Sequence, residues 1–92
     1  MTIYTKDYVK DPVALKDYTQ DWSDWLGADT IVASSWEIPA GMTKVTDNID
    51  GTAKATVIWL TGGAIPVDYE CFNTIVTAGG RTERAMIKIQ VR

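Results

Sequence analysis

Histidine is absent from this sequence, and cysteine occurs once, at Cys71. Without histidine the chain lacks the usual general base near neutral pH, the commonest zinc ligand and the centre of the usual catalytic triads. A single cysteine cannot form an internal disulfide. Because Cys71 lies in an alternating apolar pattern, we expect a buried, unreactive thiol. The sequence therefore predicts no catalytic residues and no enzyme activity.

Long apolar runs and ligand-binding loops are also missing. No apolar run approaches the ~20 residues needed to span a bilayer, and the first residues contain no signal-peptide core. Residues 47–51 slightly resemble the start of an EF-hand loop, but the remaining ligand positions are absent, so a hairpin turn is favoured. The pairs Gly62-Gly63 and Gly79-Gly80 open no helix and predict turns instead of phosphate loops. We expect no metal, no cofactor and no membrane partner.

Charge is unevenly distributed along a chain whose net charge is −3. Residues 1–30 contain six aspartates and three lysines, whereas residues 81–92 contain four basic residues and one glutamate. These segments can attract each other within one molecule or between neighbouring molecules, and the alternative is two solvated surfaces. The acidic balance argues against a partner made of duplex nucleic acid.

The residues that are present predict strands. With 92 residues the chain forms one small domain, whose core depends on large aromatic side chains. Turn signals separate segments of alternating apolar residues without a convincing helix; the predicted strands are 15–22, 29–38, 42–47, 52–61, 67–77 and 83–92. We therefore predict an all-β fold, an immunoglobulin-like (fibronectin-like) β-sandwich of six to seven strands without a disulfide.

The domain limits and the faces of the strands follow from the same patterns. Residues 1–14 are predicted to be an extended N-terminal arm that can add to a sheet edge, lie on a partner or fray, and residues 15–92 form the sandwich. Val32 is expected to share one face with Ser34, Trp36 and Ile38. Tyr69, two residues before the cysteine, weakly indicates the tyrosine corner of such folds.

Residues 17–31 combine three aromatic rings with four aspartates, and they are the best candidates for a functional surface. Trp22 belongs to a strand face and is predicted to be core, as are the mid-strand residues Trp36 and Trp59. Trp25 lies in a predicted tight turn at residues 23–27, where a tryptophan is well suited to anchor a partner. The candidate partner interface consists of Asp21, Asp24, Trp25 and Asp29. Exposed tryptophans could instead stack on sugar rings.

Three motifs in this order resemble a family of small tailed-bacteriophage and prophage proteins, the phage fiber-tail adaptor type. They are Lys10-Asp11-Pro12 with Leu15-x-Asp17-Tyr18-x-x-Asp21-Trp22-x-x-Trp25-Leu26-Gly27-x-Asp29-Thr30-Ile31; Thr56-Val57-x-Trp59-Leu60-x-Gly62-Gly63; and Tyr69-x-x-x-Asn73-x-Ile75-x-Thr77-Ala78-Gly79-Gly80-Arg81-Thr82. The resemblance covers residues 10–92. The sequence departs from the family pattern at residues 43–52 and 64–66, where we expect altered loop contacts.

The resemblance implies an immunoglobulin-like sandwich that serves as a virion structural protein linking tail to fibre. Its partners would be other phage tail or fibre proteins, and self-association into a homo-oligomer stays open. The protein would be made in the bacterial host cytoplasm and end in the tail region of the virion. Two alternatives remain, namely a carbohydrate- or host-surface-binding module and a capsid decoration protein.

Overall fold

A computed structural model describes residues 3–92 and places seven strands and one short helix in them. In chain order the elements are β1 (Ile3–Lys10), β2 (Lys16–Asp21), α1 (Ser23–Leu26), β3 (Ile31–Glu37), β4 (Met42–Ile49), β5 (Ala55–Gly62), β6 (Asp68–Thr77) and β7 (Thr82–Val91). One sheet has the order β1-β7-β6-β3 and the other the order β2-β5-β4. The single cysteine is free. These observations confirm the predicted β-sandwich without a disulfide.

The order of the strands is that of an immunoglobulin-like sandwich. Strands β3, β6 and β7 form one sheet as strands C, F and G do, and β2, β5 and β4 form the other as B, E and D do. The first strand, β1, runs parallel to β7 and adds to the edge of the four-stranded sheet. An added edge strand was one of the three possibilities for the N-terminal arm; residues 1–2 of that arm lie outside the described residues.

The core lies between the inward faces of the two sheets, as the alternating patterns predict. In β7 the inward residues Ala85, Ile87, Ile89 and Val91 are at most 1% exposed. Ile87, Ile89 and Val91 cluster with Ile58 and Leu60 of the opposite sheet, and Ala85 belongs to a second cluster with Trp22. Full burial of each large aliphatic side chain contributes about 1.5–3 kcal/mol before entropy costs. Apolar burial between the sheets is thus the main force that holds this small domain together.

Three edge strands carry β-bulges. The register shifts between Tyr4 and Lys6 in β1, between Ile31 and Ala33 in β3, and between Lys44 and Thr46 in β4. The extra residue of a bulge lies out of the normal alternation. A bulge also disturbs the regular edge on which another chain could pair.

Two exposed valines are explained by these bulges. Val32 is the extra residue of β3 and is 60% exposed, and Val45 is the extra residue of β4 and is 54% exposed. The prediction that Val32 shares a face with Ser34 and Trp36 is therefore wrong, because the bulge breaks the alternation that the prediction assumed.

Trp59 was predicted to be core, and it is 37% exposed. In β5 the buried face consists of Thr56, Ile58 and Leu60, so Trp59 points away from the other sheet. Trp36 is only half-buried, although it packs against the buried cluster that contains Ile58 and Ile87. Strand β5 thus has one covered face, although the apolar run from Val57 to Leu60 was compatible with two.

The structure defines two of the predicted turns more closely. Residues 23–27 were predicted to form a tight turn, and Ser23–Leu26 form a single turn of α-helix. Strand β4 continues to Ile49, so the hairpin turn is formed by residues 50–54, whereas the sequence placed it within residues 47–51. Ala53 in this turn has a φ of 57°, which is uncommon for a residue with a Cβ atom.

The tyrosine corner suggested by the sequence is present. Near the start of β6 the hydroxyl oxygen of Tyr69 accepts a hydrogen bond from the backbone N–H of Ala64 at 2.9 Å. Gly41 lies so close that a Cβ atom there would stand 3.0 Å from this hydroxyl. The contact fastens the loop before β6 to the adjoining end of the sandwich.

Candidate functional site

The aromatic and acidic run at residues 17–31 passes from β2 through α1 to the start of β3, and the part that connects the two strands lies at one end of the sandwich. Trp22 is 2% exposed, as predicted for a core residue. Its indole Nε1–H donates to Oδ1 of Asn73 at 3.0 Å. A hydrogen bond, in addition to packing, thus connects this run to β6 of the opposite sheet.

Asn73 is the centre of a buried hydrogen-bond network that sequence reasoning missed. Its Oδ1 also accepts from Thr56 Oγ1 at 2.6 Å, and its Nδ2 donates to Ser34 Oγ at 2.9 Å and to Ser35 O at 3.0 Å. All of its hydrogen-bonding groups are therefore used while it is fully buried. The available signal was an amide side chain at an inward position of an otherwise apolar strand face.

Trp25 contacts two other side chains at this end of the sandwich. Its ring meets that of Trp22 edge-on, with centroids 5.4 Å apart and an interplanar angle of 68°. The guanidinium of Arg81 lies over the Trp25 ring at 4.2 Å from its centroid. Trp25 is therefore half-buried, and part of its surface is already used within the molecule.

Asp29 fastens the entry of β3 to the turn between β6 and β7. Its Oδ1 accepts the backbone N–H of Gly79 at 2.9 Å, and its Oδ2 lies 3.2 Å from Arg81. Hydrogen bonds, foremost that from the Thr77 side chain, lower the pKa of the Asp29 carboxyl to about 2. With its side chain only 14% exposed, Asp29 organises this end of the fold instead of facing solvent.

The other two predicted interface residues lie at the surface beside Trp25. Asp21 is exposed, and its Oδ1 accepts the backbone N–H of Ser23 at 2.9 Å, where α1 begins. Hydrogen bonds from Ser23 lower the pKa of Asp21. Asp24 is exposed in the first turn of the helix, and no ion pair within residues 3–92 includes it. Asp21 and Asp24 are thus exposed carboxylates in the segment that also carries Trp25.

The predicted attraction between acidic and basic segments occurs inside the molecule between Arg81 and Asp29. Arg81 of the basic segment reaches Asp29 of the acidic segment. The other two arginine pairs, Arg84 with Glu37 at 2.9 Å and Arg92 with Asp68 at 3.0 Å, use acids from outside the first thirty residues.

A second candidate surface is the outer face of the three-stranded sheet, which sequence reasoning did not identify. Trp59 lies on the central strand β5, directly opposite Asp17 of β2 on one side and Thr46 of β4 on the other. Val57, also outward, lies between Thr19 and Asn48. The signal in the sequence was that Thr56, Ile58 and Leu60 already supply an inward face to β5. This surface presents an aromatic centre with hydrogen-bonding neighbours, which can bind a partner.

Between the edges of β1 and β2 an open groove of about 400 Å³ is lined by Lys6, Tyr8, Thr19, Gln20 and Asp21. The Tyr8 hydroxyl donates to the Thr19 carbonyl at 3.2 Å across the gap.

Within residues 3–92, no group of three or more His, Cys, Asp or Glu side chains is placed to hold a metal ion. In the same residues, no helix is long and apolar enough to cross a membrane.

Comparison with known proteins identifies the family. A family model described as podophage GP4 fiber-tail adaptor protein gp77 matches residues 10–90. No curated protein matches the chain. The matched residues include β2 to β6, most of β7, both tryptophan-bearing surfaces and the Asn73 network. This chain therefore belongs to the podophage fiber-tail adaptor family.

Proposed function

We propose that this protein is a non-enzymatic structural component of a phage virion that joins tail and fibre proteins through protein–protein contacts. After synthesis in the host cytoplasm, it takes its place in the tail region. Family membership supports the adaptor role. The structural observation that carries the proposal is the partly exposed indole of Trp59 at the centre of an uncovered sheet face. Tryptophan is among the residues most enriched at the energetic centres of protein interfaces.

An adaptor that links two components needs two separate contact surfaces, and this molecule offers two. One is the outer face of the three-stranded sheet around Trp59. The other is the end of the sandwich around Trp25. The two tryptophans lie on different elements, so each can contact its own partner.

At the surface around Trp25, the four predicted interface residues have different roles. The exposed part of Trp25 contacts the partner, and Asp21 and Asp24 provide a polar, acidic rim. Asp29 acts indirectly, because it forms an ion pair with Arg81, whose guanidinium lies over the Trp25 ring. Such an arrangement resembles an interface with an aromatic anchor at its centre and charged residues at its edge.

The alternative of a sugar-binding platform depended on Trp22 and Trp25 forming a flat exposed face. Trp22 is buried, and the two rings are inclined at 68°, so these two residues do not form such a face. A capsid decoration protein would have the same surfaces and differ only in its partner.

The test is direct binding to the tail and fibre proteins of the same phage. Each is mixed with this protein and analysed by size-exclusion chromatography with light scattering. A stable complex with at least one of them is expected. Failure with every tail and fibre protein would reject the adaptor role, and binding to a capsid protein or to sugars on a glycan array would then identify which alternative holds.

A further inference from the structure

On the outer face of the four-stranded sheet, an arginine is held jointly by an aromatic ring and a carboxylate. The guanidinium of Arg84 lies over the Phe72 ring at 4.1 Å from its centroid and donates to the Glu37 carboxylate at 2.9 Å. Phe72 and Glu37 are directly opposite each other on β6 and β3. The ring and the acid thus form a cross-strand pair that receives the arginine of a third strand.

The same combination occurs a second time at the end of the sandwich. Arg81 lies over the Trp25 ring at 4.2 Å and forms an ion pair with Asp29 at 3.2 Å. Guanidinium suits such sites because it is weakly hydrated, stacks on aromatic faces and donates in a planar fork to carboxylates. At two places in this fold, therefore, an arginine lies over an aromatic ring and forms an ion pair with an adjacent carboxylate.

A third pair of an aromatic ring and a carboxylate lies on the outer face of the three-stranded sheet. Asp17 and Trp59 are directly opposite each other on β2 and β5. Both point outward, because their neighbours Tyr18 and Ile58 are buried. Side chains that are directly opposite on antiparallel strands have Cβ atoms about 4.5–5.5 Å apart, so a single guanidinium can reach both groups.

Within residues 3–92, the Asp17–Trp59 pair has no arginine. None of the ion pairs there includes Asp17, and none of the cation–ring contacts there includes Trp59. Lys44, on the other edge strand of this sheet, is paired with Asp47 at 2.9 Å. Asp17 is exposed on β2. An exposed carboxylate therefore lies beside the exposed indole of Trp59, and this pair is complementary to a basic partner.

We propose that Asp17 and Trp59 bind an arginine side chain of a partner protein, which stacks on the indole and forms an ion pair with the carboxylate. The inference rests on the proposed adaptor function, since it identifies the chemistry of one of the two contact surfaces. It commits to arginine over lysine, because only the planar guanidinium can stack on the ring while donating to the neighbouring acid.

The first experiment does not require the natural partner. The ¹⁵N-labelled protein is titrated with N-acetyl-L-argininamide and, separately, with N-acetyl-L-lysinamide, while backbone and indole N–H signals are followed by NMR. We expect the arginine compound to shift the Trp59 indole and Asp17 amide signals more than the lysine compound does. Equal shifts with both compounds, or no shift at these two residues, would overturn the proposal.

The second experiment uses the complex with a tail or fibre protein. Asp17→Asn and Trp59→Ala should each raise Kd about tenfold or more. Glu37→Gln is the matched control, because it alters a carboxylate whose arginine comes from the same molecule, and Kd should stay unchanged. Thermal melting of each variant verifies that it is folded.

The outcomes separate this proposal from the adaptor function. If the wild-type protein binds a tail or fibre protein but Asp17→Asn and Trp59→Ala bind it equally well, the arginine site is wrong and the adaptor function stands. If no tail or fibre protein binds, the adaptor function fails and the NMR titration still decides the arginine site. If the Trp59 indole responds to methyl glucoside and not to the arginine compound, the ring belongs to a sugar site.

Discussion

Trp22 and Asn73 are joined by a hydrogen bond of 3.0 Å between the indole Nε1–H and the amide Oδ1, in the interior between the two sheets. The bond connects the aromatic and acidic run to strand β6. Because the same Oδ1 accepts from Thr56, one side chain links β5, β6 and the segment after β2. A buried network whose members are all satisfied fixes the position of those members.

Replacing Asn73 should therefore be among the most destabilising single changes. Asn73→Ala removes the acceptor of two buried donors, Trp22 Nε1–H and Thr56 Oγ1–H, and leaves a small cavity. We expect a loss of about 3 kcal/mol in the free energy of unfolding, measured by urea denaturation. Asn48→Ala, at an exposed position of β4, is the control and should change it by less than about 0.5 kcal/mol. Equal effects of the two variants would show that the network does not govern stability.

The role of Asp29 predicts a pH dependence. Its folded-state pKa of about 2 lies below the ordinary value of 3.8, so its contribution is present above about pH 4 and is lost as pH falls through about 2. Asp29→Asn should lower the urea midpoint at pH 7, and the difference from wild type should shrink toward pH 2. Asp24→Asn, at an exposed carboxylate without an ion pair within residues 3–92, should change the midpoint little at either pH. A wild-type advantage over Asp29→Asn that persists undiminished at pH 2 would contradict this role.

Trp25→Ala should separate stability from assembly. The variant loses the edge-on contact with Trp22 and the stacking with Arg81, which costs about 1–2 kcal/mol for a half-buried ring. Trp22→Ala, in the core, should cost about 3–5 kcal/mol. Urea denaturation measures both values. We expect Trp25→Ala to remain folded at 25 °C and to bind its partner more weakly. A loss as large as that of Trp22→Ala would identify Trp25 as a core residue.

Cys71 should be unreactive in the native protein. It is fully buried, and burial raises the pKa of its thiol to about 12. At pH 8 a disulfide reagent such as dithiobis(nitrobenzoate) should therefore modify it only in molecules that have unfolded. The rate should rise with urea in parallel with the unfolded fraction. Complete modification within seconds in the absence of urea would show that the thiol is accessible.

The alternation of apolar residues was sufficient to predict the sandwich. In β6 and β7 the buried residues follow the alternation of the sequence, because each of these strands has one covered face and their mutual pairing contains no bulge. The absence of histidine and of a second cysteine follows from the sequence alone. The resemblance carried by residues 10–31, 56–63 and 69–82 pointed to the family that the comparison then identified.

The candidate site depended on contacts that the sequence does not reveal. The sequence does not distinguish Asp29 from the other aspartates of residues 17–31. In the folded protein, the β6–β7 turn places Gly79 and Arg81 where they contact its carboxylate. Trp59 was expected to be core, yet it lies on an uncovered face. Alternation determines which side chains share a face of a strand, because successive residues point to opposite sides. Which face is covered, where a bulge shifts the register and which charges meet are decided by the pairing of segments far apart in the chain, and only the tertiary structure fixes that pairing.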